Sequence, residues 1–135
     1  MKKIILGLSV LFVFAVAVGC KKKKGDDGSS RCGEQEIKVA TIPAVNTIDP
    51  PAPGTSFPLV VNIETMPVSG ASITVTAKQD GGAQYFTTTL ENALPSNSFT
   101  ITGTPAGVQC VVDVVVTSKT CNTNQWKGSY RYSAK

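Results

Sequence analysis

The chain contains no histidine among its 135 residues. Triads and dyads built on an imidazole base are therefore excluded, and the commonest zinc ligand is missing. Aromatics are sparse at 7%, with a single tryptophan, Trp126. No window repeats its apolar residues with the 3.6-residue period of an amphipathic helix, which argues against a helical bundle. No segment repeats another. Gly81-Gly82 is the one glycine doublet and Asp26-Asp27 the one acidic doublet, and neither belongs to a phosphate loop or a calcium loop. The four cysteines, Cys20, Cys32, Cys110 and Cys121, lack the paired spacing of a metal site. Composition and motif thus assign no catalytic residue, no cofactor and no metal.

What is present begins at the N-terminus. Met1, Lys2 and Lys3 form a short positive start, followed by an apolar run at 4–18 broken by Gly7 and Ser9. Its 15 residues suit the h-region of a signal peptide and fall short of the roughly 20 that a membrane-spanning helix needs. Ala17-Val18-Gly19-Cys20 comes next. Small residues before a cysteine, directly after an h-region, resemble the lipobox of bacterial lipoproteins. Ala17 stands where that family usually has leucine, while Gly19 and Cys20 match its strictest positions. The resemblance implies cleavage between Gly19 and Cys20, a diacylglyceryl thioether on the Cys20 sulfur, and acylation of the new amino terminus by a fatty acid such as palmitate. Two or three acyl chains hold a protein lastingly, since each buried methylene contributes about 0.8 kcal/mol. Residues 1–19 are then the signal peptide, 20–31 the lipidated Cys with a flexible tether, and 32–135 the folded domain.

The formal net charge of +4 comes from outside that domain. Residues 32–135 hold six Lys or Arg against seven Asp or Glu, a net of −1. A nucleic-acid binder is expected to carry a basic face on its folded part, so that class is rejected. Residues 21–30, with Lys21 to Lys24 and then Gly, Asp and Ser, bury too little surface to offset chain entropy and read as a tether. Its lysines suit attraction to anionic headgroups. In Gram-negative lipoproteins Asp after the Cys tends to retain the protein at the inner membrane. Lys21 takes that place here, so the resemblance implies the outer membrane. Lys24-Gly25-Asp26-Asp27 is similar to the surface-export signal of Bacteroidota lipoproteins, from which the inserted Gly25 departs. Surface exposure and a periplasmic face both stay open at this point.

Residues 32–135 suffice for one small domain. Short runs rich in Val, Ile, Thr, Phe and Tyr alternate with Gly, Pro, Asn and Asp, the pattern of an all-β sandwich or barrel. Seven strands are expected, at 36–41, 59–66, 71–78, 85–91, 98–102, 110–118 and 125–134. Residues 50–54, Pro-Pro-Ala-Pro-Gly, form a stiff connection that no central strand could contain. In the sixth strand Asp113 must face solvent, because an unpaired buried carboxylate is costly. That sends Val111 and Val115 outward and Cys110, Val112, Val114 and Val116 inward. In the seventh, Trp126, Gly128, Tyr130 and Tyr132 share one face opposite Lys127 and Arg131.

Phe99-Thr100-Ile101 followed by Pro105-Ala106-Gly107-Val108-Gln109-Cys110 and alternating valines resembles the fifth-to-sixth-strand corner of fibronectin type III and related immunoglobulin-like domains. The corner tyrosine is replaced by Cys110, so its side-chain-to-backbone hydrogen bond is expected to be missing. The second strand also lacks the tryptophan of fibronectin type III cores. The fold implied is a seven-stranded immunoglobulin-like β-sandwich, with a small barrel as the alternative.

An exported domain is oxidised, so one disulfide is expected from Cys32, Cys110 and Cys121. If 110–118 is one strand, its eight steps span about 26 Å, beyond the roughly 7 Å that disulfide α-carbons allow. This argues against Cys110 pairing with Cys121. In the sandwich topology, Cys32 and the sixth-to-seventh-strand loop lie at the same pole. Cys32–Cys121 is the pair expected, with Cys110 a buried free thiol.

The function expected is a lipid-anchored, non-enzymatic module of the cell envelope that binds a protein or carbohydrate partner. Loops 80–83, 93–97 and 120–125 are taken as the membrane-distal contact loops. Trp126, Asn122 and Asn124 are the candidate ligand contacts, against the alternative that Trp126, Tyr130 and Tyr132 are core. A purely structural spacer is the second reading. A carboxylate hydrolase using Glu36, Glu64, Glu91 or Asp113 is the third.

Overall fold

A computed structural model describes residues 31–135. Gly19, Cys20 and the rest of 1–30, and with them the signal-peptide, cleavage and lipidation assignments, lie outside the described residues. Seven strands form: β1 Lys38–Ile42, β2 Phe57–Thr65, β3 Ala71–Gln79, β4 Gln84–Leu90, β5 Ser96–Ile101, β6 Gln109–Ser118 and β7 Gln125–Ser133. They make two antiparallel sheets, ordered β1-β2-β5 and β4-β3-β6-β7. The two share one apolar core, so the domain is a β-sandwich. Each expected run coincides with a strand to within two residues at either end.

Period-two alternation decides which side chains fill that core. Leu59, Val61 and Ile63 of β2 meet Ile73, Val75 and Ala77 of β3 and Val112, Val114 and Val116 of β6. Full burial of such side chains contributes about 1.5–3 kcal/mol each for Val, Leu and Ile. Asp113 faces out as expected, 3.2 Å from Lys78 Nζ. Val111 is the exception on that outer face, being buried. Its register neighbours are Lys78 and Arg131, whose long aliphatic stems can shield a valine while their charged heads reach Asp113 and Asp80.

Two details depart from expectation. Asn97 is not a turn residue but the second residue of β5, buried. Its amide donates to the Leu94 and Val61 carbonyls and its Oδ1 accepts from the Leu94 N–H, so the turn is satisfied from inside the strand. The path after β1 also goes unread in the sequence. The Ile42–Pro43 peptide is cis, and proline has no N–H to continue the ladder. The chain then crosses to the other sheet. There Asn46, Asp49 and Ala52 donate to the Ser129, Arg131 and Ser133 carbonyls at 2.7–3.1 Å, and Arg131 donates to Thr47 at 2.9 Å. Residues 46–52 thus run parallel beside β7 and cover an edge that would otherwise be open to pairing.

Antiparallel succession sends alternate loops to opposite poles. The disulfide, the Lys119 N–H to the Gly70 carbonyl and the Ala93 N–H to the Ala71 carbonyl gather the β2–β3, β4–β5 and β6–β7 connections beside Cys32. We call this the N-terminal pole. The far pole carries 43–56, 80–83 and 102–108. Loops 93–97 and 120–125 therefore lie where the chain enters the domain, not opposite it, which corrects their assignment as distal contacts. Loop 80–83 is distal as expected.

Candidate functional site

At the N-terminal pole Cys32 is bonded to Cys121, with α-carbons 5.9 Å apart. Cys110 is a free, buried thiol. It points a weak S–H contact at the Val108 carbonyl, 3.8 Å away. Sulfur is a poor donor, so this contact is weak.

Glu34, which carried no signal in the sequence, organises this pole. Its Oε1 accepts from Thr120 Oγ1 at 2.9 Å and Ser69 Oγ at 3.2 Å, and its Oε2 accepts from Asn124 Nδ2 at 2.9 Å. One carboxylate therefore ties the chain entrance to two loops. The Asn124 bond is the main cause holding its pKa at about 2, with hydroxyl donors adding and partial burial opposing.

Asn124 is 1% exposed, and its amide also donates to the Gln35 carbonyl at 3.0 Å. It is a structural residue, and its assignment as a ligand contact is corrected: both amide hydrogens are used inside the fold. Asn122 is exposed on the same loop. Trp126 is half-buried and packs on the core, beside Val45 at Gly128. A Cβ at Gly128 would come closer than 3.0 Å to the Trp126 ring and to Val45. Gly128→Ala is expected to lower stability by about 1–3 kcal/mol through overpacking, read as a reduced urea midpoint. Tyr130 and Tyr132 are buried core residues, so the aromatic cluster is mainly a closure of the sandwich. Of the four candidate carboxylates, Glu36, which precedes β1, is paired with Arg31, and Asp113 with Lys78.

The far pole is chemically different. Where the chain leaves β1 for the β7 edge, a cleft of about 270 Å³ opens. Ile42 comes from the end of β1, Pro43, Pro50 and Ala52 from the crossing segment, Phe57, Pro58 and Val60 from β2, and Tyr130, Tyr132 and Ser133 from β7. Asp49 is the one charged side chain in this lining. The cleft exists because a proline-bearing segment changes sheets there, and three of its wall residues lack the N–H that would draw the backbones together. Phe57 and Tyr132 stack at 4.7 Å between centroids, tilted by 60°. The Tyr132 hydroxyl is satisfied at 2.6 Å by both Thr104 and Tyr85, and burial raises the pKa of both phenols. Tyr130 differs: its hydroxyl is buried without a hydrogen-bond partner among the described residues. Burial, then the charges of Tyr132 and Asp49, push its pKa up. Asp49 has no ion-pair or hydrogen-bond partner for its carboxylate among the described residues.

A second, shallower depression lies over β6 and β7, between Asn46, Asp113, Trp126 and Lys127. Among the described residues no three Cys, Asp or Glu side chains converge as a metal site. No protein-family model, curated protein or solved structure matches the chain.

Proposed function

We propose that this chain is a lipid-anchored, non-enzymatic binding module of the cell envelope. Cys20 carries the acyl groups, the outer membrane holds them, and the immunoglobulin-like sandwich presents its far pole to a partner. The observation carrying this reading is the division of the domain between its ends. The pole that the tether reaches is locked by Cys32–Cys121 and the Glu34 network. The opposite pole carries the apolar cleft. Two exposed apolar loop residues, Val68 and Leu94, flank the N-terminal pole and suit a face resting near lipid. The near-neutral charge of 32–135 leaves the tether lysines as the groups that feel anionic headgroups.

Metabolic labelling with a tagged fatty acid tests the anchor. The intact chain is expected to take the label and to fractionate with outer membranes. Cys20→Ser is expected to lose both. Label persisting in Cys20→Ser, or absent from the intact chain, overturns the anchor. External protease on whole cells then separates surface from periplasmic exposure. Affinity capture from the native membrane separates a partnered module from a spacer.

A further inference from the structure

We propose that the far-pole cleft binds a small organic cation, an arylalkyl ammonium ion whose ring enters the cleft and whose ammonium group meets Asp49 and the Tyr130 hydroxyl. This deepens the reading of the domain as a binding module and does not depend on the anchor.

Size sets the first bound. A cavity of 150 Å³ accepts benzene, so about 270 Å³ takes a body of roughly ten non-hydrogen atoms on the same scale. Shape sets the second. The walls are ring faces and edges from Phe57, Tyr132, Pro43 and Pro58, which suit a flat apolar ring. Charge sets the third. The lining holds one carboxylate, Asp49, and no cationic side chain. An anion is repelled, and a neutral ligand leaves that carboxylate unpaired. A cation gains both the carboxylate and the aromatic faces. Tyr130 supplies the last constraint. Its hydroxyl is buried and unpartnered, an arrangement that folding disfavours. A ligand N–H donating to Tyr130 Oη gives that oxygen a partner it otherwise lacks. Tyr130 and Asp49 line the same cleft, which brings both to one ligand.

The full chain in nanodiscs of zwitterionic lipid is titrated with phenethylammonium, 2-phenylethanol and 3-phenylpropanoate, with empty nanodiscs as the blank. Phenethylammonium is expected to bind at least tenfold more tightly than either other probe. Asp49→Asn is expected to erase that preference. Tyr130→Phe is expected to weaken the ammonium about threefold while leaving the melting temperature unchanged or higher, because it removes an unsatisfied hydroxyl. A merely structural tyrosine would not split the two readouts. Equal binding of all three probes, tighter binding of the carboxylate, or no saturable binding overturns the ligand class. If Asp49→Asn does not fold, the three-probe comparison on the unaltered chain decides. Each of these failures leaves the fatty-acid label intact, so it is distinguishable from failure of the anchor.

Discussion

Replacing both Cys32 and Cys121 by serine is expected to destabilise the domain by about 4 kcal/mol, close to the most one covalent link supplies. The bond joins residues 89 apart, so in the unfolded chain it closes most of the domain into one loop. The entropy removed from the unfolded state grows with the logarithm of loop length, and a loop of this size sits near the top of that scale. Cys32 precedes β1 and belongs to no strand. No ladder holds it, so the sulfur bridge, the Glu34 carboxylate and the Asn124 bond to the Gln35 carbonyl carry that attachment among them. Urea unfolding of the double variant against the intact chain measures the loss. Non-reducing peptide mapping should return a peptide joining Cys32 to Cys121 and none containing Cys110 in a bridge. A loss under about 1 kcal/mol would mean that Glu34 and Asn124 hold the entrance unaided. Small domains with limited cores commonly depend on such links, and a loss of this size would threaten folding at growth temperature.

Asn124→Ala should cost about 2–3 kcal/mol and should change how stability responds to acid. The substitution removes two part-buried hydrogen bonds, one to an ionised carboxylate and one to the Gln35 carbonyl. It also removes the main cause of the low Glu34 pKa. The direction follows from linkage. Glu34 ionises at about 2 in the folded chain against an ordinary value of 4.5, so in that interval the unfolded chain binds more protons. The contribution of Glu34 is whole above about pH 5 and is lost as pH falls through 4.5 toward 2. The intact chain should therefore lose urea midpoint across that window, and Glu34→Gln should flatten that loss. Asn124→Ala should show an intermediate slope, because Thr120 and Ser69 still reach the carboxylate. Equal slopes for the intact chain and Glu34→Gln would remove Glu34 from the role given to it. With Glu34 in that role, acid loosens the N-terminal pole first.

Stability and binding are set against each other at Tyr130. Its ring fills the core and its hydroxyl finds no partner. Phenylalanine would fill the same space without the unpartnered hydroxyl. An unsatisfied buried polar group is a common mark of a functional position, and this is why the cleft rather than the shallower depression bears the ligand proposal. Trp126, the more conspicuous aromatic in the sequence, is absorbed by its packing on Gly128 and Val45. Asn122 remains exposed, on the N-terminal pole.

Strand positions, inward faces and the sixth-strand register were legible because they are local. A strand's side chains alternate with period two, and one outward Asp113 orients its neighbours. The disulfide pair was legible because strand length excluded one partner and antiparallel succession placed the other. What escaped was everything assembled from distant residues or from backbone alone. The 46–52 segment pairs with β7 through N–H and C=O groups that every residue carries, so its side chains display no alternation. Asn124 looked like a free loop amide until Glu34, ninety positions earlier, was brought to it. The cleft needs the ends of β1, β2 and β7 together with a sheet-switching segment. Short-range pattern in the chain therefore sufficed for which residues form strands and which way they face. Where those strands end relative to one another, and hence which polar groups are left paired or stranded, came from long-range packing, because burial and hydrogen-bond satisfaction depend on neighbours that the linear order does not name.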